Sequence, residues 1–331
     1  MPHRNDKPLV SIILFSYNQE NFITEAVESL LNQTYSPLEI ILSDDCSKDD
    51  TFNRMKRLAK AYKGPHKVRL NHNKKNLGVI AHMNKALNLT KGELIFAAAG
   101  DDISLPERCE KVVSYWLANK KKANLIATDA FDMSFDGKIL GVKKTDDLEN
   151  WHNIDDWFIR SPYFFGSSHS WSRDLITRFG ALNPNVKQED QIMVFRAILT
   201  GCAANISEPL VKHRRGGVSQ KENHAIDVYK KRRELISGNL NSLEFIKQCM
   251  KDAKTLGQEK VAEAGFKDKI KFEQMVSGLF QSNSTLKALR IAFSTKEVSI
   301  FKKIRFLTYA AFPYLIAPFF LIKKKFMAII K

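Results

Sequence analysis

The feature that most restricts what this chain can fold into is a rhythm in its first 130 residues. Short apolar runs alternate with stretches whose apolar residues recur at helical spacing. Val10-Ser11-Ile12-Ile13-Leu14-Phe15 is apolar without alternation, the mark of a strand covered on both faces. Phe22, Ile23, Ala26, Val27, Leu30 and Leu31 follow at helical spacing. Further strands are predicted at 38–43, 68–70, 93–98 and 124–128, with helices near 51–62, 79–88 and 106–118. Pro106 suits the first turn of the last of these. Alternation of this kind predicts an α/β fold, a Rossmann-like and mostly parallel sheet flanked by helices.

Ligands of open parallel sheets bind beyond the carboxyl ends of the strands. Two aspartate clusters sit there. Asp44-Asp45-Cys46-Ser47-Lys48-Asp49-Asp50-Thr51 follows the run 38–43, and Gly100-Asp101-Asp102 follows the run 94–99. One cluster alone would serve as a helix cap, where Asp and Ser are favoured. Two at matching strand ends point to a divalent cation or a ribose-like ligand.

Regularity fades between 130 and 185, a stretch rich in aromatic residues. A helix is predicted near 189–200 and a strand over 204–211. Residues 224–298 read as helical and charged, with breaks at Gly238 and Gly257. The organisation expected is an α/β domain over 1–222, a helical extension over 223–300, and a distinct tail over 301–331.

Charge is unevenly spread. Residues 1–229 hold 31 Lys+Arg against 28 Asp+Glu, whereas residues 230–331 hold 21 against 8. The basicity of the chain therefore belongs to its C-terminal third, which points that segment at a polyanion. Within the tail, Phe306 to Ile322 carries no charge but contains Pro313 and Pro318. Lys302, Lys303 and Arg305 precede the run, and Lys323, Lys324 and Lys325 follow it. A spanning helix needs about 20 apolar residues. The run is short for that and is predicted to anchor at an anionic membrane surface, peripherally or monotopically. The alternative is a core helix of the globular part. Four scattered cysteines, with no CxxC pair, favour a reducing setting over a disulfide or zinc framework. The opening octet lacks an apolar segment after its charges and does not read as a secretory leader.

Taken together, these motifs resemble family 2 glycosyltransferases, inverting enzymes with the A-type nucleotide-sugar fold, of the bacterial surface-polysaccharide type. Val10 through Asn18 resembles their opening strand, and Asp44 through Thr51 resembles their DDGS-x-D-x-T signature. Asn76-Leu77-Gly78 followed by Asn84 matches their N-x-G-x(5)-N segment. Gly100-Asp101-Asp102 stands at their metal-binding acidic motif, and Glu189-Asp190 resembles their ED pair. The resemblance covers roughly residues 8–220.

It implies a site. Asp45 would accept a hydrogen bond from uracil N3–H, since an ionised carboxylate only accepts. Ser16, Tyr17, Asn18, Asn76, Gly78 and Asp101 would line the nucleotide sugar. Asp102 would hold Mn2+ or Mg2+ against the diphosphate. Asp190 would be the general base that an inverting transfer needs. Glu189, His169 and Trp171 would meet the acceptor. Lys212-His213-Arg214-Arg215-Gly216-Gly217-Val218-Ser219 resembles a basic loop of the family, but Arg215 stands where many members carry His. Arg214 and Arg215 are therefore expected to clamp phosphate.

The expected partners are a nucleotide-sugar donor, UDP-sugars first, a lipid-linked or oligosaccharide acceptor, and an anionic membrane through the C-terminal tail, with no nucleic acid. The expected location is the cytoplasmic face of the plasma membrane. Two other readings compete. A nucleotidyltransferase would want a glycine-rich loop after the first strand, which Ser16-Tyr17-Asn18-Gln19-Glu20 lacks. A non-catalytic basic protein binding nucleic acid or membrane would not need Asp45, Asp102 and Asp190 together.

Overall fold

The computed structural model describes residues 7–216 and 227–318. The chain divides into two compact units, residues 1–220 and 221–331.

Unit 1 opens with the predicted alternation: β1 (Val10–Ser16), α1 (Ile23–Leu31), β2 (Leu38–Asp44), α2 (Thr51–Ala61), β3 (Lys67–His72), α3 (Val79–Leu87) and β4 (Leu94–Ala99). Next come β5 (Ile103–Ser104), α4 (Arg108–Ala118), β6 (Leu125–Met133), β7 (Ile139–Lys143) and α5 (Ile154–Ile159). The unit closes with β8 (Ser170–Ser172), α6 (Arg173–Phe179), α7 (Glu189–Leu199) and β9 (Ala203–Arg214). The strands form one sheet in the order β3-β2-β1-β4-β8-β6-β9-β5, with β7 pairing on β6. The half built from β3, β2, β1 and β4 is parallel throughout. All seven residues of β2 are buried, which is why this stretch reads as a continuous apolar run. α1 lays Ile23, Ala26, Val27 and Leu30 onto the sheet, where they join Ile12, Leu14, Ile40 and Phe96 in the core.

The other half departs from the sequence reading. β8 enters antiparallel between β4 and β6. Three residues reading Ser-Trp-Ser give no periodic signal, so nothing in the sequence announced it. β6 runs on past the predicted end at 128 to Met133, because its buried acids find partners. Asp129 accepts from the Thr145 backbone N–H at 2.8 Å, and Asp132 pairs with Lys143 and Arg215.

Unit 2 holds α8 (Val228–Thr255), α9 (Glu259–Phe280), α10 (Thr285–Ser294) and α11 (Ile300–Ala311). Gly257 ends α8 with a φ of 70°, as expected of a break, whereas Gly238 lies inside the helix without interrupting it. Helical hydrogen bonding and flanking contacts carry α8 through that glycine. Met275, Val276, Leu279, Ala288, Ala292, Val298 and Leu307 form the unit's own small core. Phe306, Ala310, Ala311 and Phe312 pack against it, and the Phe306 ring meets Phe272 edge-on at 5.2 Å. The start of the apolar run expected to be a membrane anchor is thus largely packed against protein. No described helix is long and apolar enough to cross a membrane. Residues 319–331, including Lys323, Lys324 and Lys325, lie outside the described residues.

Candidate active site

Strand register brings the two aspartate clusters together. Ser16 at the end of β1 is level with Asp44 on one side, and Phe15 is level with Ala99 on the other. The backbone N–H of Asp45 donates to Ser16 O at 3.0 Å, and that of Gly100 donates to Phe15 O at 2.9 Å. Both clusters therefore flank the carboxyl end of β1, where Tyr17 is half-buried and Asn18 exposed.

The first cluster is fully engaged. Asp44 accepts from the Ser47 backbone N–H at 2.9 Å, from the Ser47 hydroxyl, and from His72 Nδ1 at 3.0 Å. Asp45 accepts from Asn73 Nδ2 at 2.8 Å and from the backbone N–H groups of Leu77 and Gly78, each at 2.9 Å. It thereby fastens the 73–78 loop, in which Gly78 adopts φ 79°, a left-handed conformation that costs glycine little. A carboxylate offers about four acceptor positions. Three of those on Asp45 are used. Asn76 is exposed and its side chain caps Gly78 N–H at 3.0 Å. Asn84 exchanges hydrogen bonds with both backbone groups of Leu182 and so braces the scaffold. Asn18 and the 47–48 turn are tied reciprocally, with Asn18 N–H donating to Ser47 Oγ and Lys48 N–H donating to Asn18 Oδ1. Asp49 accepts from the Thr51 N–H at the start of α2 and so serves as a cap.

The second cluster is sparsely engaged. Asp102 is buried, and its Oδ1 accepts from the Arg214 backbone N–H at 2.9 Å. Burial pushes its carboxyl upward. Asp101 is pushed up to about 6 by burial and by the adjacent Asp102. Two neighbouring carboxylates disfavoured as anions are the setting a cation relieves. Their hard oxygen donors suit Mg2+ or Mn2+. Among the described residues no three His, Cys, Asp or Glu side chains form a metal-binding group. A cation would therefore be held by Asp102, with Asp101 beside it, and take its remaining oxygens from ligand and water.

Arg214 does not stand free. Its Nε donates to Asp101 O at 3.0 Å, Nη1 to Phe135 O at 2.9 Å and Nη2 to Glu25 at 2.7 Å, while the guanidinium lies over the Phe22 ring. Arg215 is more exposed and forms a two-pronged pair with Asp132. His213 Nδ1 lies 3.3 Å from Lys143 Nζ, and Lys143 is itself paired with Asp132 at 2.9 Å. Gly217, Val218 and Ser219 of this loop are outside the described residues.

Glu189 and Asp190 open α7. Asp190 packs against Gly166, where an added Cβ would come within 3.2 Å of the Asp190 Cβ, a tight approach that a side chain at 166 would push on. Burial raises the Asp190 carboxyl; burial and then Asp190 push Glu189 up to about 7. A carboxylate poised near 7 has the character of a general base. The expectation that His169 and Trp171 meet an acceptor finds no open surface. His169 is fully buried beside Phe164 and Trp171, neither ring nitrogen has a partner, and burial drives it down to about 3, neutral. Trp171 lies on the antiparallel β8, paired level with Ile95.

One residue that sequence reasoning missed organises this end of the site. Arg108 is wholly buried with no carboxylate bonded to it. Its guanidinium donates to Ser104 Oγ, Ala97 O and Ser167 O at 3.0, 3.0 and 2.8 Å. It thus ties β4, which leads to Asp102, to the 166–168 turn that packs on Asp190. Its position two residues after Pro106 was visible in the sequence, but an arginine in the first turn of a helix carries no signal of burial.

The chain is similar to known proteins at three levels. Residues 11–174 match the model of glycosyl transferase family 2. An uncharacterised glycosyltransferase of Haemophilus influenzae is 30% identical over 251 residues, 71% of this chain and 76% of that protein. The hyaluronan synthase of Pasteurella multocida is 33% identical over 138 residues, 42% of this chain and only 14% of that longer protein. In fold, the chain resembles S. aureus TarS 1–349 in complex with UDP-GlcNAc. The TM-score is 0.54 at 14% identity, covering 90% of this chain and 89% of that one.

Proposed function

This chain belongs to glycosyl transferase family 2, and from that premise we propose that it transfers a monosaccharide from a UDP-sugar, with inversion, to a glycan or polyprenyl-diphosphate-linked acceptor in cell-surface polysaccharide synthesis. The observation that carries the reading is the contrast between two acid pairs beside β1: Asp44 and Asp45 each accept several hydrogen bonds from the protein, while Asp101 and Asp102 accept few. The first pair builds a rigid cradle, and Asp45 keeps one acceptor position for a base N–H. The second pair is arranged to receive a cation, Mn2+ or Mg2+, which supplies charge neutralisation to a leaving diphosphate when bound.

Asp190 takes the proton of the acceptor hydroxyl as that oxygen attacks the anomeric carbon. Glu189 beside it orients the acceptor, while burial keeps Asp190 basic. Arg214 acts as a strut between the Asp101 segment and α1, so contact with phosphate falls to Arg215 once it leaves Asp132. The UDP-GlcNAc complex of the TarS neighbour and the polysaccharide product named for the hyaluronan synthase support the choice of donor class and pathway class. The basic C-terminal third would hold the protein at the cytoplasmic face of the plasma membrane, where polyprenyl-linked acceptors are found.

A donor screen tests the reading. The purified chain is incubated with UDP- and GDP-sugars, with Mn2+ or with a chelator, and nucleotide release is followed. Release of UDP from one sugar, lost on chelation, is the expected result. Release of GDP alone would overturn the donor assignment, and turnover insensitive to chelation would overturn the role given to Asp102.

A further inference from the structure

The geometry points to an anionic-bilayer docking face centred on the outer sides of α10 and α11, rather than on the inward-packed residues 306–312 that begin the apolar run. The inference rests on the reading that the basic third meets a membrane, and it moves the contact to different residues. On α10, Ala288 and Ala292 face the core of unit 2, while Leu286, Arg290 and Phe293 follow one another on the opposite side at four- and three-residue spacing. On α11, Lys303 and Leu307 are buried, and Ile300, Phe301 and Ile304 are exposed. Leu286 and Phe301 are 80% and 83% exposed, values at which packing within the unit contributes almost nothing to holding them. The other large apolar residues exposed in this unit are Tyr314 and Leu315, beyond the end of α11, and Tyr229, Leu240 and Val261, which are scattered singly on α8 and α9.

Charge decides what would cover the face. Lys287, Arg290, Lys296, Lys302 and Arg305 interleave with the apolar side chains. From Gln274 to Lys331 the chain has 10 Lys+Arg and one acid, Glu297, which is paired with Lys271. A second copy of this chain would bring the same charge to the face and be repelled. Single-stranded nucleic acid wants successive aromatic platforms, whereas three of the five apolar residues here are the aliphatic Leu286, Ile300 and Ile304. Aliphatic and aromatic side chains among lysines and arginines on short helices suit the headgroup region of an anionic bilayer.

The test is co-sedimentation of the full chain with vesicles of phosphatidylglycerol and phosphatidylcholine, and with phosphatidylcholine alone. Three variants are compared: Leu286→Ser/Phe301→Ser, Arg290→Gln/Lys296→Gln, and removal of residues 319–331. Each is first checked for an unchanged melting temperature and unchanged UDP binding. The charge variant should bind anionic vesicles about 30-fold more weakly, two charges at about 1 kcal/mol each. The apolar variant should lose roughly tenfold or more, and removal of 319–331 should have the smaller effect. If removal of 319–331 abolishes binding while both face variants bind like the full chain, the docking face is overturned and the membrane reading stands. If the full chain ignores anionic vesicles, both fall. If the variants instead change oligomeric state, or lose an oligonucleotide while keeping vesicles, the face belongs to another partner and the inference is wrong.

Discussion

Asp44-Asp45 and Asp101-Asp102 occupy equivalent places, at the ends of the two strands that flank β1, yet they live under opposite regimes. Every oxygen of the first pair is met by a donor from the protein: Ser47, His72, Asn73, Leu77 or Gly78. In the second pair Asp102 is buried and Asp101 half-buried, only the Arg214 N–H and Ser167 serve Asp102, and Asp102 pushes Asp101 upward. A satisfied buried carboxylate stiffens a loop, whereas an unsatisfied one waits for a ligand. The Glu189-Asp190 pair is of the second kind. Acids in one site can thus be sorted into framework and chemistry by what already bonds them.

The sharpest way to break this contrast is Asp102→Asn. An amide carries no charge to offset a cation, so metal-dependent turnover should vanish while the melting temperature holds or rises. Calorimetric titration of Mn2+ with UDP checks the binding side, and unchanged metal affinity would place the cation elsewhere. Next in size, Asp190→Asn should lower turnover about 100- to 10,000-fold with donor affinity intact, measured by kcat beside a UDP titration.

The acid pair at α7 gives a pH test. A base works deprotonated, so kcat/KM should rise as pH climbs through the raised carboxyl of this pair. Glu189→Gln should leave the acid limb in place, because burial and not Glu189 raises Asp190; a limb that moves or disappears would assign it to Glu189. The stability sign follows from Glu189 at about 7 in the fold against an ordinary value of 4.5. Over that window the folded chain binds the proton more tightly than the unfolded one, so the wild type loses stability as pH rises. The variant should melt above the wild type at pH 8 and level with it at pH 4, by calorimetry.

Asp44→Ala should do the reverse of Asp102→Asn. It removes, from a fully buried position, the acceptor shared by half-buried Ser47 and exposed His72, and should cost about 1 kcal/mol or more of stability, read from denaturant unfolding. The smallest effect probes the same turn. Cys46 has φ 64°, in the left-handed region, at the place where the family signature has glycine. Cys46→Gly should relieve roughly 1 kcal/mol of strain, less a few tenths for the added freedom of the unfolded chain, and raise the melting temperature.

What the amino-acid sequence determined by itself is the parallel half of the sheet and the positions of its acids. Strands such as Val10–Ser16 and Leu38–Asp44 are buried on both faces, so their signal is local and continuous, and an acid just past such a run marks a strand end. Tertiary structure alone decided the rest. Arg214 reaches Asp102 across 112 positions, and Asn84 reaches Leu182 across 98. Partners that distant leave no mark in any window of sequence. Only three-dimensional packing hid Arg108 among carbonyls, sealed His169 from solvent, and turned Phe306–Phe312 inward while leaving Leu286 and Phe301 outside. The physical reason is common to all of them: hydropathy says which residues can be buried, but which of them are buried depends on the surfaces that other elements bring to meet them.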